Sequence, residues 1–523
     1  MNQKEFYSAK IDKIAKESFN AEQKAIAKKI IATTDEKDLD AVWGLISQRV
    51  KIGFTFDEAP EVNHNAVAVV KENEKLFIPS VAENAIEHKL IIGENYDALK
   101  NLLVTYTDNQ GKGLIDVIYI DPPYNTEKTK DDGNDYKGEV EATKFIYRDK
   151  FTRDGWLNMM NERLKLAKKL LNENGVIFIS IDDSMQAYLK VLCDEIFGEG
   201  NFEGHIHWRR RHNQPNDKTK LIGLVAEHIL VFAKNSYALK LFGVGKVPLT
   251  GDFSNPDNDP RGDWNSKPWK VGSGQSGSKY EITKPNGETV SGEWMGEKST
   301  FKALLADNRI VFPRNGSGEI RKKIFKFERE QEGQSAINWW SHELFGSNQD
   351  ATDEMKKIFT VDNVFDNPKP TSLVKRIIGL GSTKSDAVIL DFFAGSGTTG
   401  QAVMELNAED GGTRKFILVT NNENDIATKV TRERLYRVIN GKGSKGEKID
   451  WEYSKDKKTL TGNAVRVFDI KTESLTIADI DKAEKIKAEA EKDFKKLNEK
   501  YKTKNELDIY TQLASLNPQK SEK

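Results

Sequence analysis

One cysteine, Cys193, in 523 residues leaves no room for an intrachain disulfide framework and fits a reducing compartment. Long apolar runs are missing as well. No stretch approaches the roughly 18 apolar residues of a membrane helix, and Lys4, Glu5, Lys10 and Asp12 interrupt the N-terminus where a leader would be apolar. Neither a membrane span nor a signal peptide is therefore expected, and the expected location is the cytoplasm. An excess of one charge is also absent, since 80 basic side chains stand against 81 acidic ones, so contact with nucleic acid would have to be a local patch. Histidine is scarce and scattered. The nearest group, His205, His207 and His212, has no cysteine or carboxylate at ligand spacing, and His205 and His207 alternate with Ile206 and Trp208 as on one face of a strand. No metal is expected.

What is present begins with Asp121-Pro122-Pro123-Tyr124, directly behind the apolar run Asp116 to Ile120, which reads as a buried parallel strand. Two successive prolines fix φ and remove two backbone donors. The Asp121 carboxylate and the Pro122 carbonyl are left as acceptors in a stiff loop beside a planar ring. Such a loop suits an exocyclic amino group: two acceptors on its N–H bonds draw the nitrogen lone pair out of the ring toward a nucleophilic state. A plain strand-ending turn explains the tetrapeptide equally well when it is taken alone.

A second segment changes that balance. Ala387 to Phe393 is another apolar strand, followed by Ala394-Gly395-Ser396-Gly397-Thr398-Thr399-Gly400 and a helix-like stretch from Gln401 to Asn407. Gly395, Gly397 and Gly400 satisfy the G-x-G-x-x-G spacing of a dinucleotide site. The next strand, Lys415 to Val419, runs into Thr420-Asn421-Asn422, whereas a nicotinamide site wants an acid there for the ribose. No lysine follows the glycines, which excludes a P-loop.

Together the two segments resemble the amino-group DNA methyltransferases that use S-adenosylmethionine. Asp391-Phe392-Phe393-Ala394-Gly395-Ser396-Gly397 is similar to their methionine-binding turn, and Asp121 to Tyr124 to their catalytic loop. The catalytic loop precedes the cofactor turn here, the permuted order of the β class. Further stretches are similar to the modification subunits of type III restriction-modification systems: Lys51 to Pro60, Leu90 to Leu99, Gly175 to Asp182, Glu227 to Lys234, and Lys369-Pro370. The resemblance implies an α/β, Rossmann-like fold with a permuted, mostly parallel doubly wound sheet, an inserted target-recognition region and helical terminal extensions. It implies Asp121, Pro122, Pro123 and Tyr124 as the catalytic set. For the cofactor it implies Asp391, Phe393, Ala394, Gly395, Ser396 and Gly397, with Lys369 and Pro370 closing over the methionine end. Asn422 substitutes for the family's ribose-binding acid. It implies double-stranded DNA as substrate, adenine N6 rather than cytosine N4 because the loop begins with aspartate, and a restriction subunit as partner. A homodimer is left open. So are a recognition adaptor for a separate nuclease and a solitary adenine-N6 or cytosine-N4 enzyme.

The organisation that follows is a helical arm over residues 1–50, a first catalytic half over 51–235, a target-recognition region over 236–365, a second half over 366–472 and a charged helical tail over 473–523. In the first half, Trp156, Met160, Leu164, Ala167 and Leu171 form one helical stripe. Asp182 caps the helix after its strand. The region 236–365 mixes Trp264, Trp269, Trp294, Trp339 and Trp340 with basic residues, and most of these tryptophans are expected to be core. Lys322 and Lys323 there, and Arg209-Arg210-Arg211 on the catalytic side, are the candidate phosphate contacts. In the tail, Ile486, Ala490, Phe494, Leu497 and Tyr501 form a narrow stripe that either docks a partner or packs back on the body.

Overall fold

A computed structural model describes residues 3–12, 21–39, 42–43, 62–124, 153–213, 221–247, 249, 251–362, 364–475, 479–502 and 509–516. The motif Lys51 to Pro60 and positions 214–220 of the polar loop after His212 lie outside these residues. The chain divides into two compact units, one of residues 1–60 and 151–160, the other of 61–150 and 161–523. In the first, helices Gln3–Asp12 and Ala21–Thr33 bring Tyr7, Ile11, Ala27 and Ile31 together with Leu39, each helix using residues four apart.

The second unit is organised by an 11-stranded sheet. Its strands in chain order are β1 (Val62–Glu72), β2 (Ile86–Ile92), β3 (Ile115–Ile120), β4 (Leu171–Ile181), β5 (Phe202–Arg209) and β6 (Ala226–Ala233). A separate region supplies β7 (Trp264–Pro268), β8 (Ser278–Thr283), β9 (Thr289–Trp294), β10 (Ile310–Val311) and β11 (Arg321–Phe325). The chain then returns as β12 (Trp339–Trp340), β13 (Val388–Asp391), β14 (Lys415–Thr420), β15 (Asn463–Ser474) and β16 (Ala514–Leu516). The order across the sheet is β12-β5-β6-β4-β3-β13-β14-β2-β15-β1-β16. Pairing is parallel from β4 through β15, and only β6 and β1 run against the rest. All six residues of β3 are buried, as a strand covered on both faces requires. This is the expected α/β sheet, and the permutation is visible in it: β13 lies between β3 and β14 although residues 121–387 separate β3 from β13 in the chain.

The predicted helix over 156–171 is Arg153–Leu170, with Trp156, Met160, Leu164 and Ala167 buried, and the chain passes into β4 at Leu171. The inserted region builds its own small sheets, β10-β11-β7 and the hairpin β8-β9, around Trp269, Ile282, Trp294, Phe301, Ile310 and Ile320. It is shorter than expected at its far end. β12 rejoins the main sheet beside β5, and Trp340, Phe345, Met355, Ile358 and Phe359 pack in the main core, so the chain is back in the body well before residue 366. The tail packs on its own unit. Helix Ile480–Leu497 buries Ala483, Ala490, Phe494 and Leu497; Tyr106 donates to the Leu497 carbonyl (3.0 Å), Asn498 to the Thr105 carbonyl (2.7 Å), and β16 pairs with β1.

Candidate active site

Parallel pairing aligns the carboxyl ends of neighbouring strands. The register sets Ile118 beside Leu390, Asp391 beside Leu418 and Thr420 beside Ile92, so the chain segments that leave β3, β13, β14 and β2 emerge at one edge. That is where open α/β sheets collect ligands. Asp121 to Tyr124, Phe392 to Gly397 and Asn421-Asn422 all start there.

The Asp121 carboxylate is held from two sides. Its Oδ1 accepts the Tyr124 hydroxyl at 2.5 Å, and its Oδ2 accepts the Lys369 ammonium at 2.7 Å. Lys369 also donates to the Tyr124 hydroxyl oxygen (2.9 Å) and lies 3.4 Å from Oε2 of Glu227, a residue of β6 that is 3% exposed. Arg210 pairs with the other Glu227 oxygen at 2.5 Å. Two carboxyl groups and two cations thus enclose one phenol. Burial would push Glu227 up, but Lys369 and Arg210 outweigh it and hold the carboxyl below its usual range. Burial would push Lys369 down, and Asp121 and Glu227 reverse that and raise it. The Tyr124 hydroxyl is raised well above its ordinary value by burial and by the charges of Asp121 and Glu227, so it remains a neutral donor. Sequence reading assigned Lys369 to the cofactor, and the structure brings its side chain onto the catalytic loop. It gave Glu227 no role. The signal was available, since an acid between Ala226 and an apolar strand that is otherwise buried needs a partner.

The glycine turn is built on Asp391, which is 3% exposed. One oxygen accepts the Phe393 N–H at 3.0 Å and the other the Thr399 hydroxyl at 2.5 Å. Burial pushes this carboxyl up to about 7, with the charge of Asp121 adding to the rise. Gly395 (φ +47°) and Gly397 (φ +80°) take left-handed conformations, and a Cβ at Gly397 would sit 3.2 Å from Thr431 Cγ2. Gly400 lets the following helix approach the sheet, for a Cβ there would meet Leu435 at 2.8 Å and Leu418 at 3.1 Å. Ser396 shares a hydrogen bond with Thr398 (3.1 Å), and Ala394 donates its N–H to the Val419 carbonyl (3.0 Å). Thr398 in turn donates to the Lys369 carbonyl at 3.1 Å, and Pro370 is the N-cap of helix Thr371–Gly381, so the turn and the catalytic loop are linked through Lys369. Arg434, fully buried, clamps the turn from below with bonds to Thr398, Ser396, Gln401, Thr371 and Glu354. Asn422 accepts the Thr428 N–H at 3.1 Å and so closes its own loop.

A methionine-type cofactor fits this frame on two counts: Gly395 and Gly397 give the turn at the sheet edge a left-handed backbone that side chains would crowd, and the buried Asp391 and Arg434 fix its shape from beneath. Elsewhere two assignments are corrected. Lys323 is 1% exposed and paired with Asp257 and Asp259 (3.1 Å), so it stabilises the inserted region from inside and offers nothing to a phosphate. Arg210 is committed to Glu227. Lys322 is half-buried and its ammonium is pushed down by burial and by Lys267, whereas Arg209 is half-exposed and Arg211 exposed. Asp182 accepts from the N–H groups of Ser184 (3.1 Å) and Met185 (3.3 Å) and so closes the turn that precedes helix Gln186–Phe197, whose N-cap is Met185 rather than the expected Asp182. Trp269, Trp294 and Trp340 are core, and Trp339 is 49% exposed.

A family model described as DNA methylase matches residues 115–431, which contain both motifs and the inserted region. The chain belongs to the DNA methylase family. A second model, of an uncharacterised conserved protein, matches residues 4–112. The chain is 38% identical over 412 residues to the type III restriction-modification enzyme StyLTI Mod subunit of Salmonella typhimurium, covering 72% of this chain and 59% of that one. It is 29% identical over 417 residues to the EcoPI Mod subunit of Escherichia phage P1, covering 68% and 60%. With the type II methyltransferase M.KpnI of Klebsiella pneumoniae the identity is 31% over 377 residues, covering 67% and 84%. The chain therefore spans about three fifths of the length of these two type III relatives. Among the described residues no helix is long and apolar enough to cross a membrane.

Proposed function

We propose that this protein transfers a methyl group from S-adenosylmethionine to adenine N6 at a specific site in duplex DNA, as the modification and recognition subunit of a type III restriction-modification system. The observation that carries the reading is the meeting of Asp121-Pro-Pro-Tyr124 with the Asp391 glycine turn at one sheet edge, tied through Lys369. S-adenosylmethionine, when bound, supplies an electrophilic methyl group. Asp391, Phe393, Ala394, Gly395, Ser396, Gly397, Lys369 and Pro370 hold its methionine end, and Asn422 faces the ribose side.

The target adenine leaves the duplex at a cost of a few kcal/mol, and stacking on Tyr124 returns about 1–3 kcal/mol of it. For this the Tyr124 hydroxyl releases Asp121 Oδ1, while Lys369 stays on Oδ2 and keeps the carboxylate oriented. The freed oxygen and the Pro122 carbonyl accept the two N6–H bonds. Their negative ends would stabilise the positive charge that grows on N6 as its bond to the methyl carbon forms and that carbon's bond to sulfur breaks, the electron pair leaving with the thioether; N6 would then pass a proton through Asp121 to water. Pro123 keeps the loop rigid, so most of the assistance is positioning. Arg209 and Arg211 are the phosphate contacts of this reading, and the restriction subunit is a separate chain. A second reading, a methyltransferase that acts without a restriction subunit, is favoured by the 84% coverage of the Klebsiella type II enzyme.

The test is incubation of the purified protein with unmethylated duplex DNA and methyl-labelled S-adenosylmethionine, digestion to nucleosides, and mass spectrometry. Labelled N6-methyladenine supports the reading, labelled N4-methylcytosine overturns the base assignment, and no label despite cofactor binding favours an adaptor role. Loss of label with Asp121→Ala at unchanged cofactor affinity assigns the acceptor; retained label removes Asp121 from the mechanism. Copurification with a large ATP-dependent chain would distinguish the type III reading from the solitary one.

A further inference from the structure

β6 sends alternate side chains to opposite faces of the sheet. Glu227 turns to the catalytic loop, and its neighbour His228 turns away from it. Antiparallel pairing of β5 with β6 sets His207 opposite His228, and the period of two puts His205 on the same face. His205, His207 and His228 therefore converge, with ring centroids 4.3, 4.7 and 5.4 Å apart and one nitrogen from each within 4.8 Å of the others. The sequence grouped His212 with the first two; in the fold His212 lies instead beside His342, ring centroids 4.4 Å apart and tilted by 51°, and His228 takes its place because strand pairing, not chain proximity, sets the neighbours.

Two contacts define the direction of the lone pairs. His228 Nε2 lies 2.7 Å from Oδ1 of Asp183, the residue that follows Asp182 beyond β4, and His228 Nδ1 lies 2.7 Å from His205 Nε2. A carboxylate only accepts, so Nε2 of His228 carries the proton and Nδ1 presents its lone pair toward His205 and His207. This is the carboxylate–histidine arrangement that orients a metal ligand and raises its basicity. All three rings are half-buried.

We propose that His205, His207 and His228 bind one late first-row divalent cation, zinc foremost, with Asp183 as the outer partner that orients His228. Three imidazoles without an oxygen-rich shell select zinc, cobalt, nickel or copper over magnesium and calcium. Tetrahedral Zn–N bonds of about 2.0–2.1 Å require nitrogens about 3.3 Å apart. The 2.7 Å separation of His205 and His228 reaches that by opening about 0.6 Å, a rotamer adjustment. The three rings are only half-buried, so water can complete the shell. A bound ion would tie β5, β6 and the loop after β4 together, and it would brace the strand that presents Glu227. The inference does not depend on which base is methylated.

The experiment uses the full chain without a histidine tag, stripped with chelator, then titrated with Zn²⁺ and with Co²⁺ in excess Mg²⁺. The expected result is one equivalent per chain, a visible Co²⁺ absorption of tetrahedral type, and a higher melting temperature when loaded. Asp183→Asn, at a partly exposed position, should weaken binding about 10–100-fold, and His205→Ala with His228→Gln should abolish it, while His212→Ala changes nothing. Circular dichroism checks that each variant is folded. If the histidine variants unfold, Asp183→Asn decides. No stoichiometric binding, an octahedral Co²⁺ spectrum, or affinity indifferent to Asp183→Asn would overturn the proposal and leave a hydrogen-bonded histidine cluster.

Discussion

Replacing Lys369 by methionine removes the ammonium that two carboxyl groups share. The side chain of Lys369 is 7% exposed, that of Glu227 3% and that of Asp121 26%. Cutting one partner out of a buried ion pair costs about 3–5 kcal/mol, because the remaining charge stays desolvated. Here Glu227 keeps Arg210 and Asp121 keeps contact with solvent, so the lower end applies, about 3 kcal/mol. Glu227→Gln should cost a similar amount, since it takes the carboxylate from Arg210 and leaves Lys369 with Asp121 alone. The two changes act on one contact network, so the double variant should fall short of their sum by about 2 kcal/mol, within the range seen for coupled neighbours. Urea unfolding followed by tryptophan fluorescence measures all four species. Additivity within about 0.5 kcal/mol would refute the idea that these side chains form one charge cluster.

Three more outcomes are expected. Asp391 holds its proton up to about 7 in the folded chain against 3.8 ordinarily, so the folded state binds the extra proton between these values, and stability falls as pH rises through that window and is flat above it. Asp391→Asn removes the titration: from pH 5 to pH 8 the wild type should lose about 3 kcal/mol relative to the variant, and parallel stability curves would contradict the burial argument. Gly397→Ala should cost about 1–2 kcal/mol from its left-handed backbone plus a contact term from Thr431, and it should weaken S-adenosylmethionine binding. Gly411→Ala, at φ +72° with nothing within 4 Å of a Cβ, should show the backbone cost alone; equal behaviour of the two in calorimetry would sink the turn assignment. Phe494→Ala should destabilise by about 3–5 kcal/mol, and a loss below about 1 kcal/mol would mean that the tail helix is not packed on the body.

Much of the site was legible in the sequence because it is written in backbone chemistry. Two prolines after an aspartate, glycines at positions 395 and 397, and apolar runs before each motif constrain local conformation wherever the rest of the chain goes. The stripe of Phe494 and Leu497 showed a buried helix face without showing what it faced. The structure answered that with Tyr106, Thr105 and Lys89, all several hundred residues away.

The sequence by itself determined the strands, the two turns and the chemistry they suit, since these follow from local φ preference and hydrophobic period. Tertiary structure alone decided which charged groups are neighbours. Lys323 and Arg210 read as phosphate contacts because charge is visible in a sequence, whereas the carboxylates that claim them come from other segments, Asp257 and the buried Asp259 for Lys323 and the buried Glu227 for Arg210. The same holds for Lys369 on Asp121, 248 residues apart, and for His228 beside His205 and His207. Pairing between strands has no local signature, and a charge left without its partner in the interior would cost several kcal/mol, so the fold fixes these meetings and the sequence alone does not display them.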